Sequence, residues 1–288
     1  MNEGKSIVSL GDLSKPATVL IEKISDAVGA LFRPMQIRRV AKAEADAERI
    51  MAIAEIEITE LHQRALARFI SEEARKQENM ESITAQALPQ LEANAKPEMV
   101  DDDWLANFFE KCRIYSDQDM QTLWAKILAG EGNKPGSFSK RTVDLVATLD
   151  KSDASLFTTL CSYAWVIGKE VFLVVFDPDD QIYTSQGINF IRLTHLDDIG
   201  MISFNPLTGF RRTNLPKKFR VFYYGVPLET EMPESKPGEL QVGHVLLTRV
   251  GQELAPICGS TPVPGFRDYA ILQWEKDGLS LSSPSPAP

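Results

Sequence analysis

Apolar residues recur at helical spacing through the first 165 residues, then give way to short apolar runs rich in β-branched and aromatic side chains. Helices followed by strands are predicted. The densest stretch is 116–157. Ser116 and Asp119 read as a capping box ahead of Met120, Leu123, Trp124, Ile127 and Leu128, since a hydroxyl and an acid three residues on satisfy early N–H groups. Gly130 and Gly132 are expected to stop that helix, and Pro135-Gly136 to turn the chain. Ser139 would cap a helix carrying Val143, Val146 and Leu149. Ser152 or Asp153 would cap another, with Leu156, Phe157, Leu160, Cys161, Ala164 and Trp165. Short helices with tight connections predict an antiparallel cluster.

Toward the N-terminus, residues 1–13 read as disordered and 14–97 as a short amphipathic helix joined to a long one. Ser14 and Pro16 open TVLIEKISDAVGALF, with Val19, Leu20, Ile24, Ala27, Val28 and Leu31 on one side and Arg33-Pro34 at the end. That side is expected to pack on the long helix, with a membrane surface against residues 14–40 as the alternative. From Met35 to about Ile83 there is neither proline nor glycine, which predicts one rod on the order of 70 Å long. Ala47, Met51, Ala54, Ile58, Leu61 and Ala65 alternate steps of four and three along it, the seam of a coiled coil. Ile50, Ile53 and Ile56 form a second stripe. A small domain cannot bury both, so self-association into a homo-oligomer is predicted. Residues 98–168 complete a helical cluster. In it Trp104, Leu105, Phe108 and Phe109 are expected to meet Trp124 and Phe157.

Residues 169–278 read as a small α+β recognition domain with antiparallel strands. EVFLVVFD (170–177) predicts a buried strand ending in the turn Asp177-Pro178-Asp179-Asp180. Residues 187–199 predict a helix, and MISF, KFRVFYYGV and LQVGHVLLT predict strands. LTRVGQELAPI predicts a helix capped by Thr248, and FRDYAILQWEK a last strand. Residues 279–288 read as a disordered tail. The fold class is therefore α+β.

Composition narrows the function classes. The net charge of −9 disfavours bulk affinity for nucleic acid or anionic membrane. Cys112, Cys161 and Cys258 lie far apart and read as buried thiols in a reducing cytosol, so a cytoplasmic location is expected. No apolar run reaches about 18 residues, the length that signals a membrane span, and MNEGKSIVSLGDLSKPA lacks the pattern of a secretory signal. His62, His195 and His244 stand singly, without metal-ligand spacing. Asp177, Asp179 and Asp180 resemble the start of a calcium loop, but Ile182 and Ile188 occupy its glycine and glutamate positions. Gly130, Gly132 and Gly136 have the wrong spacing for a phosphate cradle. No catalytic signature or cofactor motif is present, and a non-enzymatic protein without cofactors is expected.

One charge anomaly stands out. No acidic residue occurs from Ile199 to Leu228, while Arg211, Arg212, Lys217, Lys218 and Arg220 cluster among Phe210, Phe219, Phe222, Tyr223 and Tyr224. Such interleaving suits nucleic-acid binding. It also suits a strand whose basic side chains guard an edge.

HLDDIGMISF followed by LLTRVGQELAPI resembles the end of a winged-helix domain. The resemblance implies a β-hairpin wing that would hold the basic residues. KPATVLIEKISDAVGALFRPMQIRRVAKAEA, LWAKILAGEGNKPGSFSKRTV and LLTRVGQEL together resemble an uncharacterised bacterial family, a domain of unknown function. The middle piece is also similar to abortive-infection (anti-phage) proteins, which implies a role in antiviral defence. Together these readings predict a self-associating sensor or adaptor. A nucleic-acid-binding regulator and a peripheral membrane effector are the alternatives, and the expected partners are nucleic acid or an unidentified protein.

Overall fold

The computed structural model describes residues 13–29, 60–234 and 238–282. The chain is α+β and divides into two compact units, residues 1–147 and 148–288.

In the first unit Ser14 caps helix α1 (Lys15–Val28) by accepting from the Ala17 amide. Its buried face, Leu20, Ile21 and Ile24, packs on α3 (Asp102–Cys112) and on the 3-10 turn Pro97–Met99. The expected partner was the long helix. Residues 30–40 of the stretch offered for a membrane, and the long helix before Glu60, lie outside the described residues. Helix α2 (Glu60–Ala87) runs four residues beyond the expected end at Ile83 and packs on α4 (Gln118–Asn133). Asp101 caps α3 through the Trp104 amide. The Trp104 indole donates to the Phe138 carbonyl at 2.7 Å, and Phe108 meets Trp124 edge-on at 5.3 Å. The predicted contact to Trp124 is thus present, while Phe157 is a core residue of the second unit.

Two expectations within 116–157 need correction. Asp117, rather than Ser116, caps α4 by accepting from the Asp119 and Met120 amides. The Ser116 hydroxyl instead accepts from Asn79 of α2. Gly130 and Gly132 lie inside α4, which continues to Asn133. They are small because of packing: a Cβ at Gly130 would sit 2.6 Å from the Phe138 ring, and one at Gly132 would sit 3.0 Å from Leu91. Ser139 caps α5 (Lys140–Val146) as expected.

The second unit begins with α6 (Lys151–Cys161), capped by a reciprocal box between Asp150 and Asp153. The unit boundary falls at 147/148, so this helix groups with the sheet rather than with the helical cluster to 168. Ala164 and Trp165, expected on that helix, belong to strand β1 (Ala164–Ile167), which turns through Gly168-Lys169 into β2 (Glu170–Leu173). After β2 come α7 (Gln181–Thr184), α8 (Phe190–Asp198), β3 (Ile202–Phe204), β4 (Phe210–Arg212), β5 (Lys218–Tyr223) and β6 (Val226–Glu231). Then follow β7 (Leu240–Gly243), β8 (Val245–Leu247), α9 (Arg249–Leu254), α10 (Phe266–Lys276) and β9 (Ser280–Ser282). The main sheet has the order β2-β1-β5-β6-β9 with antiparallel neighbours, and β3-β8 and β4-β7 form separate antiparallel pairs.

Three further expectations change here. FRDYAILQWEK is helix α10, because Phe266, Ala270 and Trp274 are buried at steps of four. Ser280–Ser282, assigned to the tail, forms a strand against β6, with Leu279 buried beside it. LQVGHVLLT is split at Gly243-His244 between two sheets. Consequently β3 pairs with β8 across an excursion containing β4 to β7, and this stretch is not a simple two-stranded wing.

Candidate functional surfaces

Helix α2 changes character along its length. Its C-terminal part is held by a buried polar network: Asn79 donates to the Arg113 carbonyl at 2.9 Å, and Gln121 donates to Asn79 Oδ1 at 3.1 Å and to the Tyr115 carbonyl at 2.9 Å. Ser82 donates to Gln121 Oε1 at 2.7 Å. Ile83 and Ala87 are fully buried next to this network. By contrast, residues 60–71 are exposed at every position around the helix. Among them are Leu61 (64% exposed), Leu66, Phe69 (60% exposed) and Ile70. Of the predicted seam, Leu61 and Ala65 are in this exposed stretch, while Ala47, Met51, Ala54 and Ile58 lie outside the described residues, as does the second stripe at 50, 53 and 56. Sequence reasoning ended the seam at Ala65. The four-three pattern continues to Arg68 and Glu72; Phe69, four residues after Ala65, and Ile70, four after Leu66, instead widen the apolar surface beside it.

The basic segment is brought together on β4, β5 and the loop between them, and each predicted cation has an acidic partner. Arg220 binds Glu229 at 2.7 Å and Lys218 binds Glu231 at 3.2 Å, both directly across the β5–β6 ladder. Lys217 meets Glu234 at 3.4 Å and Arg211 meets Glu239 at 3.4 Å. Arg212 pairs with Glu170 and lies over the Phe172 ring, 5.1 Å from its centroid. Exposed pairs of this kind add only about 0–1 kcal/mol each to stability. Their larger effect is on the field, because a phosphate backbone would have to displace a carboxylate at each contact. The acids come from beyond the acid-free run and from β2, so the run itself hid them. At the end of the β5–β6–β9 face is an open concavity of about 380 Å³. Its charged lining, Lys218, Arg220, Glu229 and Glu231, is already paired.

The remaining candidates resolve into structural roles. His195 binds Asp153 at 2.8 Å, and His244 Nδ1 lies 2.7 Å from the Asn205 carbonyl. His62 is on the exposed stretch of α2. Asp177 accepts from the Asp179 amide in a tight turn, and Asp180 accepts from the Tyr269 hydroxyl. Among the described residues, no group of three or more His, Cys, Asp or Glu side chains could hold a metal, and no helix is long and apolar enough to cross a membrane. The second unit's core is aromatic. Trp165 packs edge-on to Trp274 at 4.8 Å, and Tyr163 does the same to Phe266 at 4.8 Å. Burial raises the hydroxyl pKa of Tyr163, Tyr183 and Tyr269, and pushes that of Tyr223 up to about 12. These tyrosines tie segments together: Tyr223 donates to the Ser162 carbonyl at 2.8 Å and accepts from the Val263 amide at 2.9 Å.

The described residues thus present an exposed helical stretch at 60–71 and a sheet face whose basic side chains are paired with carboxylates. The chain belongs to the family described as Protein of unknown function (DUF2806), whose model matches residues 63–269. No curated protein and no solved structure matches it.

Proposed function

We propose that the protein is a non-enzymatic, self-associating adaptor of the cytoplasm, with α2 as its assembly element and the second unit as its recognition domain. The observation that carries this reading is the exposed stretch 60–71, in which Leu61, Leu66, Phe69 and Ile70 face solvent on a helix anchored firmly at its other end. The occupant that fits is a second copy of the same helix. Leu61 and Ala65 continue the predicted seam with Leu66 and Phe69 flanking it, and the intrahelical pairs Glu60–Arg64 and Arg68–Glu72 place both charge signs beside it. Full burial of one such side chain contributes about 1.5–3 kcal/mol. Burial of Leu61, Leu66 and Phe69 on each of two copies is therefore enough to exceed the lower part of the association cost of about 4–15 kcal/mol. Light scattering tests this directly: a chain that stays monomeric at every concentration excludes it.

The similarity of LWAKILAGEGNKPGSFSKRTV to abortive-infection proteins supports placing the adaptor in anti-phage defence. That reading requires phage plating to fall in cells expressing the protein and to recover with the Leu66→Glu, Phe69→Glu variant. The nucleic-acid alternative is weakened by the five carboxylates that neutralise the basic segment.

A further inference from the structure

Two of the three cysteines, 97 positions apart in sequence, meet in the second unit. Cys161 ends α6 with its side chain fully buried, and the half-buried Cys258 sits in the segment after α9, close enough to raise the Cys161 pKa. The backbone fixes this meeting from several directions. Thr158, one helical turn before Cys161, donates its hydroxyl to the Cys258 carbonyl at 3.3 Å. The Cys258 thiol donates to the Ala255 carbonyl at 3.2 Å. Tyr224, on the turn between β5 and β6, links the two segments: its hydroxyl donates to the Cys161 carbonyl at 3.3 Å and shares a hydrogen bond with Ser260 Oγ at 2.7 Å. Cys112 is buried in the first unit.

We propose that Cys161 and Cys258 form a redox modification site, oxidised by a peroxide to an intramolecular disulfide and restored by a thiol reductant. The less buried member, Cys258, reacts first. The Cys258 sulfur attacks one peroxide oxygen, the O–O bond breaks, and Cys258 becomes a sulfenic acid as water or an alcohol leaves. The Cys161 sulfur then attacks the Cys258 sulfur. The S–S bond forms, the S–O bond breaks, and the hydroxyl leaves as water with the Cys161 proton. Two thiols are oxidised and one peroxide is reduced. Burial first, and then the neighbouring Cys258, hold the Cys161 thiol well above its usual pKa, so it is not the one to react first with the peroxide; its place beside Cys258 makes it the resolving partner. This site stands independently of the assembly reading.

The test is thiol mapping on the full wild-type chain. The protein is exposed to rising hydrogen peroxide, denatured, alkylated, digested and analysed by mass spectrometry. The expected result is paired loss of two of the three thiols, a cross-linked peptide joining 161 to 258, an alkylated Cys112, and full recovery with dithiothreitol. In Cys258→Ser the Cys161 thiol should survive the same exposure. A cross-link involving Cys112 or a second chain, sulfinic acid at Cys258 without a cross-link, or three intact thiols would each overturn the proposal.

Discussion

Gly243 shows how much of the second unit depends on single atoms. Its φ is +90°, and a Cβ there would lie 1.8 Å from the Val175 carbonyl oxygen, at the bridge that joins residue 175 to the β7 end. Gly243→Ala combines a strained backbone with a backbone clash, so a loss of about 4 kcal/mol or more is expected, read as a lost or strongly lowered thermal transition. The buried tyrosines make a second prediction. A hydroxyl whose folded pKa is raised stabilises the fold below the unfolded value of 10.0, and that contribution is lost as pH rises toward the folded value. Stability should therefore fall between pH 10 and about 12, with tyrosinate absorbance appearing together with unfolding rather than before it. Caps were partly legible at this scale. Ser14, Ser139 and Thr248 cap as expected, because a hydroxyl before an apolar period has one common use. Ser116 did not, because Asp117 beside it was the better acceptor and Asn79, 37 positions away, took the hydroxyl.

Among elements, α2 couples a fixed end to a bare one. Asn79→Ala should remove the partner of Gln121 and leave the Arg113 carbonyl unmet by it, at a cost of about 1–3 kcal/mol per buried group, seen as a lower urea midpoint. The charged ladder of β5 and β6 predicts weak or no retention on DNA or RNA at low salt, and no further change in Arg211→Ala with Arg212→Ala. Strong, salt-sensitive retention lost in that variant would restore the nucleic-acid reading. The first unit's described helices were legible because their apolar residues share one period and their ends carry polar caps. β6 was not legible, since VPLETE holds a proline and two acids and gains its place only from β5 and β9 on either side. α10 was misread because Tyr269, Ile271, Leu272 and Trp274 favour strands locally, whereas burial at Phe266, Ala270 and Trp274 sets the helical period.

At the scale of the whole molecule, the family match at 63–269 spans parts of both units, so most of α2 and the sheet domain belong to one family unit. The pairing of Cys161 with Cys258 belongs to this scale too, and no local pattern could reveal it. Closing that loop constrains the unfolded chain by on the order of 4 kcal/mol, so the peroxide-treated protein should resist urea more than the reduced form, with the gain lost on adding dithiothreitol. The central claim concerns assembly. Sedimentation velocity over a concentration series, on the wild type and on Leu66→Glu with Phe69→Glu, tests it most directly. The account predicts a wild-type mass that is a multiple of 32.1 kDa and a double variant that sediments as a folded single chain. A wild type that sediments at 32.1 kDa throughout would contradict it.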